Sequence, residues 1–216
     1  MNELILFYSP GACSLAIHAA LEQAGADYRA VNVDLRQKLQ LQPEYLQLNP
    51  QGRVPTLVVD GRPLTEVVAI ADYLDRRYPS AGLLPGNAVA RGLAQAAVQR
   101  LASDIHPLYR ALWIPGWFCD DTAAHDALKA TATSRLLAFY DELEQRLADG
   151  SWGEGEPTGF LALYTAVFLR WSSAVAPAGL GGHCEALRRR LAGHPPLARA
   201  MAREGVPLDS LQRLTD

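Results

Sequence analysis

Strand signals are confined to residues 1–80 of this chain, and this distribution divides it into two parts. The run 4–8 is apolar and of strand length, and a proline–glycine pair follows it. Apolar residues recur at helical spacing over 14–24, with Gly25 where a C-terminal cap belongs. A second strand is predicted over 31–35. Strand, helix and strand in this order close as a right-handed crossover between parallel strands.

A hairpin completes the strand content of this first part. The apolar run Thr56–Val59 is followed by Asp60-Gly61, a pair typical of two-residue hairpin turns, and residues 63–65 begin the returning strand. Apolar side chains at helical spacing over 67–78 then predict a helix. The predicted order is strand, helix, strand, a loop, two strands and a helix.

Only helix signals follow the linker at 78–88. Helical spacing predicts three long helices and two shorter outer ones, over 88–105, 126–147, 160–174, 185–191 and 196–204. The third is apolar nearly all round, as a helix in the middle of a bundle is. Pro107 is expected to bend or end the first helix at His106. We therefore expect a small α/β domain over residues 1–80 and an all-helical domain over residues 88–216.

The composition describes a globular protein without a general affinity for polyanions. Lysine and arginine number 20 against 23 aspartates and glutamates, a net charge of −3, so nucleic acid and anionic membranes are not expected partners. The longest apolar run, 160–169, is half of the about 20 residues that a membrane span needs. The start of the chain lacks the basic region of a secretory signal, so a cytoplasmic protein is expected.

Cys13 lies at the junction of the first strand and the first helix. Unpaired backbone N–H groups and the positive end of the helix dipole favour a thiolate there. No second cysteine follows at C-x-x-C spacing, and the histidines and cysteines show no metal-ligand spacing, so no metal is expected. Cys13 is either a single reactive thiol or a small residue that packs a tight turn.

Two further features belong to the same part of the chain. Val54-Pro55 precedes a strand; an ordinary trans proline explains it, whereas a cis bond would turn the Val54 backbone outward to pair with an extended peptide. Glu66 begins a helix, where it either complements the helix dipole or binds an amine while the following N–H groups bind a carboxylate. With Cys13, these sites would suit a short zwitterionic thiol peptide.

Four stretches carry a resemblance to a known family. They are Leu6-Phe7-Tyr8-Ser9-Pro10-Gly11-Ala12-Cys13-Ser14-Leu15-Ala16, Asn49-Pro50-Gln51-Gly52-Arg53-Val54-Pro55-Thr56-Leu57, Leu64-Thr65-Glu66-Val67-Val68-Ala69-Ile70 and Leu169-Arg170-Trp171. Through them the chain resembles the bacterial beta-class glutathione S-transferases over essentially its whole length. The resemblance implies a thioredoxin-like N-terminal domain of order β-α-β-α-β-β-α, an all-α C-terminal domain, and a homodimer with glutathione bound near the interface.

The resemblance also implies roles for individual residues around glutathione. Cys13 would face its sulfur, the Val54 backbone would pair with its cysteinyl part, and Pro55 would be cis. Glu66 would hold the γ-glutamyl amine, with the Val67 N–H at the neighbouring carboxylate. The remaining implied contacts are Arg53 within the second motif, Lys38 at the glycyl carboxylate, Gln99 reaching the partner subunit's glutathione, and His106 near the thiol.

The leading hypothesis is conjugation of the glutathione thiolate to small electrophilic apolar substrates. The candidates for activating the thiol are Cys13, His106, Ser14 and Tyr8, and those for the second-substrate pocket are Ile105, Tyr109, Trp113, Trp117 and Phe118. Two alternatives remain open: a glutathione-dependent thiol–disulfide oxidoreductase acting through Cys13, and a glutathione-binding protein without significant turnover.

Two departures from the family pattern accompany the resemblance. Val67 lacks the side-chain hydroxyl often found at its position, so only its backbone can bind a carboxylate. The Ser/Thr-x-x-Asp capping box expected before the central helix is replaced by Gly159 and Ala162, with Thr158 as an alternative cap, at a cost of roughly 1 kcal/mol.

Overall fold

The computed structural model describes residues 3–155 and 158–211. Its sheet contains four strands, β1 (Leu4–Tyr8), β2 (Arg29–Asn32), β3 (Thr56–Val59) and β4 (Arg62–Thr65), in the order β2-β1-β3-β4. β1 and β2 are parallel, because helix α1 (Ser14–Gln23) crosses between them, and the other pairs are antiparallel. In the β3–β4 turn, Asp60 and Gly61 have φ of 48° and 78°, as a two-residue hairpin turn requires.

Strand β2 ends three residues before the predicted Leu35. The Asp34 carboxylate accepts hydrogen bonds from the backbone N–H groups of Arg36 (2.8 Å) and Gln37 (3.3 Å). Such a turn of the chain around an aspartate ends the strand. Helices α2 (Pro43–Leu46) and α3 (Val67–Arg77) complete this part of the fold. The predicted thioredoxin-like order is confirmed.

Within the described residues, six α-helices follow the linker: α4 (Ala88–Arg100), α5 (His106–Trp113), α6 (His125–Ala148), α7 (Gly159–Trp171), α8 (Gly182–Ala192) and α9 (Pro195–Glu204). Every residue from 160 to 169 is buried, so α7 is the central helix that its composition predicts. Helix α1 packs against α7 and α9, and Arg91 of α4 pairs with Asp75 of α3 at 2.7 Å. No helix of the described residues is long and apolar enough to cross a membrane.

Helical structure continues past His106, so of the two outcomes expected at Pro107, a bend or an end, the second does not occur. Residues Leu101–Ile105 form a π-helical turn that joins α4 to α5, and the His106 N–H donates to the carbonyl of Leu101. The wider turn lets the chain pass Pro107, which has no N–H to donate and lies within the first turn of α5. The added residue also changes which side chains of α5 face the sheet domain.

Helix α7 begins without a side-chain cap. Thr158 occupies the cap position but makes no capping hydrogen bond, and the Phe160 N–H donates instead to the carbonyl of Leu83 at 2.7 Å. Gly159 has a φ of +53°, and a Cβ there would collide with that carbonyl oxygen. The linker backbone therefore replaces the missing capping box, and glycine is required where the linker approaches.

Candidate active site

Cys13 occupies the cap position of α1, and its thiol is buried. The Sγ donates to the carbonyl oxygen of Val54 at 3.4 Å. Burial raises the pKa of the thiol to about 12, although nearby Arg110 and the backbone N–H groups at the start of α1 act in the opposite direction. Of the two roles considered for Cys13, burial therefore favours the packing role over that of a reactive thiol: the helix end contributes as predicted, but desolvation outweighs it.

The loop before Cys13 is held by two C-terminal helices. The Gly11 N–H donates to Oε2 of Glu204 at 2.8 Å, and the Gly11 carbonyl accepts hydrogen bonds of 3.0 Å each from Arg170 and Trp171. The other Glu204 oxygen lies 2.9 Å from Nδ1 of His18, and both of these side chains are fully buried. The position of the loop before Cys13 thus depends on contacts with residues about 160 to 190 positions further along the chain.

The second wall of the site is the segment Arg53-Val54-Pro55. Its Val54–Pro55 peptide bond is cis, as the resemblance implies. The Arg53 carbonyl accepts hydrogen bonds from the Tyr45 hydroxyl (2.6 Å) and from Nδ2 of Asn49 (2.9 Å). Asn49 also reaches the Thr56 hydroxyl at 3.1 Å. These buried side chains hold the segment ahead of β3.

The third wall is the start of α3. Glu66 occupies the cap position with a φ of +69° and leaves its exposed carboxylate without a capping hydrogen bond. Val67 follows as the first helical residue and is buried. The first N–H groups of a helix have no partner inside the helix, so the N-terminus of α3 presents hydrogen-bond donors beside the Glu66 carboxylate.

These walls surround two adjoining compartments. The first compartment, about 490 Å³, is lined by Glu66, Val67 and Gln99 together with Pro55 and Tyr164. The second compartment, about 970 Å³, is lined on its aromatic side by Trp113 and Trp171. Both compartments share Cys13, Arg53, Val54, His106, Arg110 and Trp117. These six shared residues are where a ligand in one compartment would meet a ligand in the other.

Helix α5 presents one face to these compartments. His106, Arg110 and Trp113 follow helical spacing and line the second compartment. Ile105 and Tyr109, which are expected in the pocket from the sequence, line neither compartment and lie in the core, where the Tyr109 hydroxyl is 2.6 Å from that of Tyr140. Trp117 and Phe118 do line the site.

His106 is an uncharged group in this structure. Its ring lies 5.4 Å from that of Trp171, centroid to centroid. Burial, and then the charges of Arg110 and Arg53, lower the pKa of His106 to about 4. The imidazole can therefore orient or exchange a proton at neutral pH, but it does not act as a cation.

Three predicted site residues lie outside the two compartments. Ser14 is buried, and its hydroxyl donates to the Ser9 carbonyl and accepts from the Ser9 N–H, both at 3.2 Å. Tyr8 packs against the ring of His18 at 5.1 Å, and burial raises its pKa. Lys38 is exposed in a turn with a φ of +57°. None of these three residues lines either of the compartments that contain Cys13.

Arg110 is the main site residue that sequence reasoning missed. Its guanidinium carbon lies 4.6 Å from the ring centroid of Trp117, and that of Arg53 lies 5.3 Å from the same ring. The only signal in the sequence is its position four residues after His106, one helical turn away. Among the described residues, no cluster of histidine, cysteine and carboxylate side chains could hold a metal ion.

Comparisons with known proteins agree with this architecture. Residues 2–76 match the family described as glutathione S-transferase, N-terminal domain. Glutathione S-transferase GstA of Escherichia coli O157:H7 is 35% identical over 206 residues, covering 93% of this chain and 98% of that protein. Maleylacetoacetate isomerase of Rhizobium meliloti is 33% identical, covering 92% of this chain and 96% of that protein.

Solved structures give the same result. A glutathione transferase homolog from Sulfitobacter with bound glutathione superposes with a TM-score of 0.86 at 27% identity, over 96% of this chain and all of the other. A sphingomonad glutathione S-transferase complexed with glutathione gives 0.78 at 32% identity, over 94% of this chain and all of the other. The chain belongs to the glutathione S-transferase family.

Proposed function

We propose that this protein binds glutathione in the first compartment and conjugates its thiol to a small electrophile held in the second. The observation that carries the proposal is the convergence of Cys13, the Val54 carbonyl and the start of α3 on one compartment. In this proposal residues 1–80 form the glutathione-binding domain, and residues 88–216 contribute the second-substrate site. Solved relatives with bound glutathione support it.

Each charged end of the tripeptide has a matching group in the first compartment. The Glu66 carboxylate is placed to pair with the γ-glutamyl amine, and the N–H of Val67 to bind the adjacent carboxylate at the helix end. The Val54 carbonyl, which accepts from Cys13 at 3.4 Å, would accept the cysteinyl N–H of glutathione. Gln99 lines the same compartment, and Lys38 remains a prediction for the glycyl carboxylate.

The chemical task is to lower the pKa of the bound thiol, which is near 8.5 in a free thiol, so that a thiolate is present. The start of α1 supplies N–H groups and a positive dipole end beside Cys13, and neutral His106 lies at the same junction. In the reaction the thiolate attacks the electrophilic carbon and a C–S bond forms. The leaving group departs with its electron pair, and the thiol proton passes to solvent.

The thiol–disulfide alternative is less well supported. It requires Cys13 to attack as a thiolate, whereas its side chain is buried and its pKa is raised to about 12 by that burial. A glutathione-binding role without turnover would leave the second compartment unused. Conjugation uses both compartments, so it is the function we favour.

We also propose a homodimer in the cytoplasm. Helix α4 exposes two large apolar side chains, Val89 (69%) and Leu93 (49%), on the helix that also carries Gln99. A partner subunit packed there would bury them and bring Gln99 towards the partner's glutathione. Light scattering of the purified chain should give twice the mass of 23.5 kDa.

The experiment is calorimetric titration with reduced glutathione together with conjugation of 1-chloro-2,4-dinitrobenzene, on wild type, Cys13→Ala and the matched control Cys119→Ala. We expect all three to bind glutathione and form the conjugate. Loss of conjugation in Cys13→Ala alone would instead support chemistry through that thiol. Glutathione binding without conjugation of any electrophile would refute the transferase proposal.

A further inference from the structure

The second compartment is lined by five arginines and by no acidic side chain. Two of these arginines donate hydrogen bonds to backbone carbonyls: Arg170 to that of Gly11 and Arg188 to that of Leu169. Arg53 and Arg110 are used differently, because both guanidinium groups lie against the ring of Trp117. Within residues 3–155 and 158–211, no carboxylate forms an ion pair with either of them.

Because both guanidinium carbons lie against one ring, they are at most about 10 Å apart, and two cations at such a separation without a counter-ion cost free energy that grows with burial. Arg110 is half-buried on α5. Burial, and then the charge of Arg53, lower the pKa of Arg110. An anion placed between them would relieve both effects, and a carboxylate offers the two acceptor oxygens that a planar guanidinium binds in parallel.

The rest of the wall suits a flat ligand. Trp113, Trp117 and Trp171 all line the second compartment, and the rings of Trp113 and Trp171 pack edge to face at 5.0 Å. Its volume of about 970 Å³ is at the upper end of what small-molecule sites offer. Aromatic surfaces beside paired cations recognise a planar group that carries a negative charge.

We propose that the second substrate is an aromatic or otherwise conjugated electrophile bearing a carboxylate, which Arg110 and Arg53 bind while the planar part lies against Trp117 and Trp113. This rests on the proposed conjugation and specifies its substrate class. It departs from the apolar substrate expected from the sequence, because Arg110 lies on the face of α5 that lines the site. The carboxylate orients the electrophile and is not consumed.

The test compares 4-chloro-3-nitrobenzoate with its methyl ester, which keeps the leaving group and removes the charge. In both, the glutathione thiolate attacks the chlorine-bearing carbon, a C–S bond forms, chloride leaves with the bonding pair, and the thiol proton passes to solvent. Each kcat/KM is divided by the uncatalysed rate constant at the same pH, which corrects for the different reactivity of the two rings. We expect wild type to favour the carboxylate by about tenfold, chiefly through KM.

Single-charge variants locate the effect. Arg110→Gln and Arg53→Gln should lower the carboxylate-to-ester ratio towards one, and Arg110→Lys should retain part of it. The matched control is Arg62→Gln, which removes an exposed charge of β4 and should leave the ratio and both rates unchanged. A wild-type ratio of one or below would overturn the proposal even if a variant failed to fold.

The outcomes separate this inference from the function on which it rests. Turnover of the ester without preference for the carboxylate would refute only the substrate class. If Arg110→Gln lowered both rates equally and weakened glutathione binding, the arginines would serve glutathione, and the inference would be wrong. If neither substrate were converted, the conjugation proposal would fail. The substrate class could still be tested by titrating 4-chloro-3-nitrobenzoate into the complex of the protein with S-methylglutathione. That titration would show whether the carboxylate binds and whether Arg110→Gln abolishes the binding.

Discussion

The two compartments that meet at Cys13 are built in different ways. The first is shaped by backbone features of the sheet domain: the Val54 carbonyl, the cis bond before Pro55 and the start of α3. The second adds long side chains that do not line the first, chiefly Trp113, Ile114 and Trp171. Backbone groups do not change with sequence, whereas side chains do. The shape of the first compartment is therefore less sensitive to substitution than that of the second.

The largest expected effect concerns His106, which both compartments share. In the unfolded chain its pKa is about 6.5, and in the folded protein burial lowers it to about 4. As pH falls below 6.5, the unfolded state takes up the proton first, so folding stability falls until pH 4. Between pH 7 and pH 4 the neutral His106 therefore lowers the free energy of unfolding by about 3 kcal/mol in total. Above pH 7 it causes no loss of stability.

Urea unfolding of wild type and His106→Gln between pH 4 and 7.5 measures this loss. The variant should lack this part of the pH dependence, so that the difference in unfolding free energy between the two proteins changes by about 3 kcal/mol over the range. His125→Gln is the control, because the His125 ring lies 2.8 Å from the Cys119 carbonyl oxygen rather than against a carboxylate. A constant difference between wild type and His106→Gln would mean that the imidazole is not held neutral between the compartments.

Glu66→Gln should disable the first compartment and leave the second intact. It keeps the size of the side chain at the start of α3 but removes the charge proposed to pair with the glutathione amine. We expect glutathione binding to weaken about 50-fold by calorimetry, because the glutathione amine loses a hydrogen bond to a charged group. At saturating glutathione, KM for the electrophile should not change. Glu44→Gln, an exposed carboxylate at the start of α2, is the control, and equal affinity of the two variants would contradict the assignment of Glu66.

Gly11→Ala probes the loop that both compartments need. At a φ of +66°, its Cβ would lie 2.6 Å from the Arg170 guanidinium, which holds the loop. Gly25→Ala is a matched control, since Gly25 has a φ of +59° with nothing within 4 Å. The control should lose about 1 kcal/mol of stability from backbone strain alone, and Gly11→Ala about 2 kcal/mol more. Thermal unfolding of the two variants measures the difference in stability. Equal losses would show that the Arg170 side chain moves away from the new Cβ at no cost in stability.

The same contrast explains what could be predicted from sequence. The strand–helix–strand unit, the Asp60-Gly61 turn and the roles considered for Val54 and Glu66 rest on signals within a few residues. These signals predict a small α/β domain, and the family resemblance adds that it is thioredoxin-like. The second compartment depends on how α5 is rotated, and that is set by the π turn at Leu101–Ile105, which no local pattern announces. Ile105 and Tyr109 were therefore expected in the pocket while Arg110 was missed.

Burial brought by distant elements explains the remaining differences. Cys13 has the helix-end position that favours a thiolate, but the Val54 segment, 41 residues further on, covers its thiol and raises its pKa. The sequence predicts only a weak helix cap at Gly159, yet glycine is required at this position because the Leu83 carbonyl leaves no room for a Cβ. Neither effect has a signature near the residue concerned. Local chemistry could be predicted here, and the desolvation that modifies it could not.

The smallest expected effect concerns Trp113, whose side chain is 48% exposed at the mouth of the second compartment. Trp113→Ala removes a planar surface that packs against Trp171, so KM for an aromatic electrophile should rise about fivefold, or 1 kcal/mol. Glutathione affinity should stay the same, because Trp113 does not line the first compartment. Leu137→Ala, which truncates an exposed side chain on α6, is the control. If Trp113→Ala weakened glutathione binding as much as electrophile binding, the two compartments would not be separable sites, and the division between backbone and side-chain recognition would fail.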